Sequence, residues 1–239
     1  MTSPLAITST CCPVSGLALS RRCLDGIDEL TAHLGSRWTS CVSDTRSFAL
    51  SSSNFFDEEF GHPLDESKLN FVANILRGAK CLISLSLELD EYRLVNESST
   101  ITKTLLFAND TANTKHLSLQ AMVVLERDLS RIIEAGRTNL ARLHLAAIQL
   151  VERDQGWTTI FRSIMTLPNL DFLSLSSLYV WDAPADADVP MLDFQKLDLG
   201  VKMADTHLVL CTKHIVAAGL RELLSGPLSL SEPDMISVE

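Results

Sequence analysis

His116 and His144 are the side chains of this sequence best suited to binding a metal or moving a proton, and neither has the company such chemistry needs. A metal centre takes three or four ligands, and no cysteine or carboxylate joins the two histidines at a ligating spacing. Asp182, Asp186 and Asp188 have the alternate carboxylates of a calcium loop but lack its glycine at the sixth position and its closing glutamate, so they read as a polar loop. Serines are plentiful, yet no G-x-S-x-G turn prepares one as a nucleophile. No G-x-G-x-x-G and no phosphate-loop lysine marks a nucleotide site. The sequence therefore offers no catalytic residue, no cofactor site and no metal site, and it reads as a non-enzyme. What remains is recognition chemistry. Arg142, His144 and Phe172 supply a bidentate cation, an imidazole and an aromatic ring, a set suited to protein–protein contact.

Those residues sit within a pattern written twice. Leu140, Leu143 and Leu145 have the spacing L-x-x-L-x-L, and Leu170, Leu173 and Leu175 repeat it 30 residues later. Between the copies lies an amphipathic segment, Trp157 to Met165, closed by Leu167-Pro168-Asn169. Strand, turn, helix and strand again is the unit of a leucine-rich repeat. Leu82 to Leu87 is a further full copy, His116 to Gln120 a shorter one, and Phe194, Leu197 and Leu199 give the template once more. The middle leucines fall at 85, 117, 143, 173 and 197, spacings of 32, 26, 30 and 24 residues, so the longer units slightly exceed the usual range of about 20–29.

Helical periodicity places helices over Leu64 to Leu76, Leu125 to Ala135 and Thr206 to Leu224, the last with Ile215, Val216, Gly219, Leu220 and Leu223 apolar. In the second, Asp128 and Arg131 fall on the outer side. Asn96 to Lys103 and Asn109 to Thr114 read as polar loops. The ninth position of each repeat holds Asp90, Met122, Ile148, Leu178 and Lys202 where the standard repeat has asparagine. The eleventh holds Tyr92, Val124, Leu150, Val180 and Ala204, all able to pack inward.

The expected fold class is α/β, an irregular leucine-rich-repeat solenoid with parallel strands on the concave side and helices on the convex side. Residues 1–60 form an ill-defined cap or degenerate repeats, with Leu17, Leu19, Phe48 and Leu50 fitting the strand template loosely and Leu24 to Leu34 a possible helix. Residues 61–226 form the solenoid, and 227–239 a tail.

Composition excludes several functions. At 46% hydrophobic and 21% charged the chain is not of the disordered kind, and a net charge of −10 argues against a phosphate-backbone binder. No stretch reaches the roughly 18–20 uninterrupted apolar residues of a membrane span. No Lys or Arg precedes Arg21 and no compact apolar run follows, so no secretory signal is expected. Cys11, Cys12, Cys23, Cys41, Cys81 and Cys211 contain no C-x-x-C pair and read as reduced thiols in the cytoplasm or nucleus.

The runs Lys115 to Gln120, Leu140 to Leu150 and Leu167 to Tyr179 resemble the leucine-rich regions of fungal proteins, many of which carry an N-terminal F-box. The resemblance covers about residues 64–200. It implies that the repeats are the substrate-recognition arm of an SCF-type ubiquitin ligase, with the ligase adaptor as a second partner. The Leu-Pro-x-Glu opening of an F-box is not found here, so a repeat-only relative or a truncated fragment without independent function is the alternative.

In such strands the residues between the leucines face outward. The expected protein-binding face therefore gathers Glu88, His116, Gln120, Arg142, His144, Phe172, Ser174 and Lys196. The plainer reading of the same residues is a solvated sheet surface. The buried set gives the sharper test. A buried leucine is worth about 1.5–3 kcal/mol, and an aspartate in its place adds an unpaired buried charge. Leu143→Asp should cost more than about 4 kcal/mol in urea denaturation, whereas Ser118→Asp on the outer face should cost less than about 1.

Overall fold

The computed structural model describes residues 16–20, 42–51, 66–89, 95–109, 111–151, 156–180, 192, 194 and 207–226. In chain order the elements are β1 (Gly16–Ser20), β2 (Ser47–Ser51), α1 (Glu66–Gly78), β3 (Ser84–Glu88), α2 (Val95–Leu106), a 3-10 turn (Thr111–Asn113), β4 (His116–Leu125), α3 (Glu126–Ala135), β5 (Arg142–Val151), α4 (Trp157–Met165), β6 (Phe172–Ser176), β7 (Tyr179–Val180), β8 (His207–Cys211) and α5 (Lys213–Ser225). The fold is α/β. All eight strands join one sheet in the order β1-β2-β3-β4-β5-β6-β8, with β7 pairing β5 beyond the end of β6. Every pairing is parallel except β6 with β8.

One register runs through the parallel part. Leu17, Phe48, Leu85, Leu117, Leu143 and Leu173 are successive Cα partners, and so are Leu19, Leu50, Leu87, Leu119, Leu145 and Leu175. From β2 to β6 each of these side chains is at most 3% exposed, and all belong to one apolar cluster. The helices supply the other half of that cluster. The stripes Leu69, Val72, Ala73, Ile75 and Leu76 of α1, Leu129, Ile132 and Ile133 of α3, and Trp157, Ile160, Phe161 and Ile164 of α4 are all buried in it. Trp157 and Phe161 stack at 5.8 Å, and Trp157 Nε1 donates to the Tyr179 carbonyl at 3.0 Å, fastening α4 to the strand side.

The entries to β3, β4, β5 and β6 repeat the same hydrogen-bond device. Two successive N–H groups donate to a single carbonyl of the preceding unit: Ile83 and Ser84 to Arg46, Lys115 and His116 to Ile83, Ala141 and Arg142 to Lys115, Asp171 and Phe172 to Ala141. Side-chain amides reinforce it. Asn139 Nδ2 donates to the Ala112 carbonyl and Asn169 Nδ2 to the Thr138 carbonyl, both at 2.7 Å. Asn109 Nδ2 donates to the carbonyls of Leu76 at 2.6 Å and Ala79 at 2.8 Å where α1 ends, the former also accepting from the Ala79 N–H.

Beyond the shared register, β4 and β5 continue through a bulge made in step. Ala121 (φ 53°) and Ala147 (φ 51°) both adopt the left-handed region, and pairing passes from Gln120–Ala146 directly to Met122–Ile148. The odd residue shifts the alternation by one. Met122, Val124, Ile148 and Leu150 thereby point into the same core as Leu117, Leu119, Leu143 and Leu145. The strained backbone, costing about 1–2 kcal/mol per residue, is offset by burial of these apolar groups. The ninth and eleventh positions are thus core positions in this part of the chain.

Several expectations need correction. Asn96 to Lys103 is not a loop but part of α2, because Ile101, Leu105 and Leu106 form a buried stripe at helical spacing that outweighs the polar run around it. The segment from Thr206 is not helical throughout. His207–Cys211 is a strand with Leu208 and Leu210 buried, and the helix starts at Lys213 with Ile215 exposed rather than packed. Asp128 is not on the outer side of α3; it is 7% exposed, while Arg131 lies over the Phe107 ring at 4.9 Å. The strand expected over Phe194 to Leu199 lies outside the described residues except for buried Phe194, and the place beside β6 belongs to β8. The proposed helix over Leu24 to Leu34 and the tail 227–239 are likewise outside them.

The bulge makes a specific demand at residue 147. Ala147→Val forces a β-branched side chain into the left-handed region and should lower stability by more than about 1 kcal/mol, whereas Ala147→Gly should be neutral or up to about 1 kcal/mol stabilising. Thermal denaturation of the two variants checks the order.

Candidate functional site

The alternation that sends leucines into the core sends the intervening residues to the opposite face, and the common register lines them up in three rows. The first row, at the strand entries, is Ser47, Ser84, His116, Arg142, Phe172 and Cys211. The second is Ala49, Ser86, Ser118, His144, Ser174 and Val209; the third is Ser51, Glu88, Gln120, Ala146, Ser176 and His207. Neighbours within a row stand about 4.8 Å apart.

The structure brings together most of the residues expected there. His116, Arg142 and Phe172 are successive members of the first row, and the Arg142 guanidinium carbon lies 5.9 Å from the Phe172 ring centroid. That distance allows a cation–π contact while the Arg142 side chain stays exposed. Glu88 and Gln120 are partners at the other end of the strands. His144 and Ser174 are partners in the middle row, but this part is not open surface: Ser174 is 4% exposed, Ala146 in the next row 8%, and His144 is half-buried. Lys196 lies outside the described residues, and β8 rather than its strand adjoins Phe172.

Burial is the first cause that lowers the His144 pKa below its ordinary value of 6.5; the charge of His207 is the second. His144, in the second row, therefore favours the neutral imidazole at neutral pH, a form with one ring nitrogen able to donate and the other able to accept. Among the described residues no group of three or more His, Cys, Asp or Glu is placed to hold a metal ion.

His207 and Cys211 are also members of this face, where the apolar pattern of Thr206 to Leu224 predicts a helix. The signal was present: Leu208 and Leu210 alternate with His207, Val209 and Cys211, a period of two over the whole strand. Set against known proteins, the chain matches no family model and no curated sequence.

The lowered pKa of His144 fixes the sign of one pH effect. Below pH 6.5 the unfolded chain binds a proton at this histidine more readily than the folded one, so stability falls as pH drops from 6.5 towards the folded pKa and levels off below it. His144→Gln should flatten that slope in denaturation curves, and His207→Asn should move the His144 titration upward when followed by NMR.

Proposed function

We propose that this chain is a leucine-rich-repeat protein of the kind associated with F-box proteins, and that it is a non-enzymatic module binding a protein partner on the face opposite its helices. The observation that carries the reading is the first row: an exposed Arg142 resting on Phe172 beside His116, held at fixed spacing by five consecutive parallel strands. Arginine and aromatic side chains on a rigid frame are the groups that most often dominate protein–protein binding energy. The recurring strand entries and shared leucine register support the repeat assignment. Neighbouring units sharing one core is what such a repeat architecture requires. Among the described residues no helix is long and apolar enough to cross a membrane, and the proposed setting is the cytoplasm or nucleus.

The narrower form of this reading makes the face the substrate-recognition arm of a ubiquitin ligase. Affinity purification separates the two forms, since the ligase adaptor among the captured proteins favours the narrower one. Arg142→Glu combined with Phe172→Ala should abolish capture of a recurrent partner, equivalent to at least about 2 kcal/mol, while the thermal unfolding midpoint stays close to that of the unaltered protein. Unchanged capture by the folded double variant contradicts the proposal.

A further inference from the structure

Charge is unevenly placed at the strand entries that border this face. The chain as a whole carries a net charge of −10, yet the strand entries of its centre are basic. Lys115 and His116 stand at the start of β4, Arg142 at the start of β5 and Arg46 just before β2, all of them exposed. Asp44 lies two residues before Arg46, Asp171 immediately precedes Phe172 at the β6 edge, and Glu88 is at the opposite end of the strands, so the cations outnumber the carboxylates only at the β4 and β5 entries. Next to the basic centre is Phe172, half-buried beneath Arg142. A positive, aromatic-edged strip on an acidic protein is complementary to a negative ligand.

We infer that the strip formed by Lys115, His116, Arg142 and Phe172 binds an extended acidic peptide segment, with two carboxylates set against the cations and an apolar side chain against Phe172. This rests on the protein-recognition reading above and names its ligand. The spacing sets the ligand's form. The starts of β4 and β5 are one strand apart, about 4.8 Å, and those of β4 and β6 twice that. Side chains on one side of an extended peptide recur every two residues, about 6.6 Å, a mismatch that lysine and arginine side chains can span. The segment running across the strands therefore reads acid-x-acid-x-apolar. Carboxylates suit the guanidinium because its fork donates two parallel N–H bonds to their oxygens, and stacking on Phe172 leaves the fork's edge free for that contact. Nucleic acid is the rival polyanion, but it calls for a broader basic surface than these few residues, on a less acidic chain.

The test uses the full chain and a peptide reading the same in both directions, Leu-Ser-Glu-Ser-Glu-Ser-Leu, labelled with a fluorophore, with Leu-Ser-Lys-Ser-Lys-Ser-Leu as counterpart. Fluorescence anisotropy should show saturable binding of the acidic peptide only, weakened about tenfold when salt rises from about 0.05 to about 0.5 M. Arg142→Gln and Lys115→Glu should each weaken it at least about tenfold. Arg221→Glu, on the exposed side of α5, should leave it unchanged. Equal binding of both peptides, loss of binding in Arg221→Glu, or tighter binding of single-stranded DNA overturns the inference. So does the absence of peptide binding in a protein whose cellular partner is still lost on changing Arg142 and Phe172; that outcome leaves protein recognition standing and removes only the acidic ligand.

Discussion

A strand of five residues and a helix of about three turns cannot bury their own leucines, and the whole molecule follows from that constraint. Leu117 and Leu119 have no core until Leu85 and Leu87 lie on one side and Leu143 and Leu145 on the other. The helices close the layer by turning their apolar stripes to the same side. Strands and helices therefore complete one another's burial within a single apolar cluster. The register is a consequence. With leucines at every second residue, a slip of one would send the whole set to solvent, so the strands can align in only one way.

Alignment at the strand entries is enforced a second time by polar groups. Four successive carbonyls each accept two N–H groups from the following unit, and Asn139 and Asn169 tie turn to turn across the same boundary. These bonds satisfy backbone groups that would otherwise be stranded where a helix gives way to a strand. They also place His116, Arg142 and Phe172 side by side with little freedom. The first row is ordered because the backbone behind it is ordered.

The parts of this structure that follow from periodicity alone were legible. Leucines at L-x-x-L-x-L gave β3, β5 and β6, and the stripes of α1, α3 and α4 gave their helices; the same alternation put Arg142, His144 and Phe172 on one face. Other parts turn on burial, which a single sequence does not display. The helix α2 hides three apolar residues in a run of Asn, Ser and Thr, and β8 precedes α5 so closely that both read as one apolar segment. The bulge at Ala121 and Ala147 has no glycine to announce it. Alternation tells which face Ser174 belongs to, but not how much of that face is covered, so the near-complete burial of Ser174 was beyond reach. Asp128 shows the converse, a carboxylate in a helical first turn that polarity assigns to the surface and packing takes inside.

The common register is open to direct observation in solution by NMR on deuterated protein. Interstrand contacts should link Leu85 with Leu117, Leu117 with Leu143 and Leu143 with Leu173, each in the parallel pattern and all at the same level. Contacts displaced by a residue at any of these boundaries, an antiparallel pattern between them, or no contact between Leu117 and Leu143 would contradict the account and dissolve the row on which Arg142 and Phe172 meet.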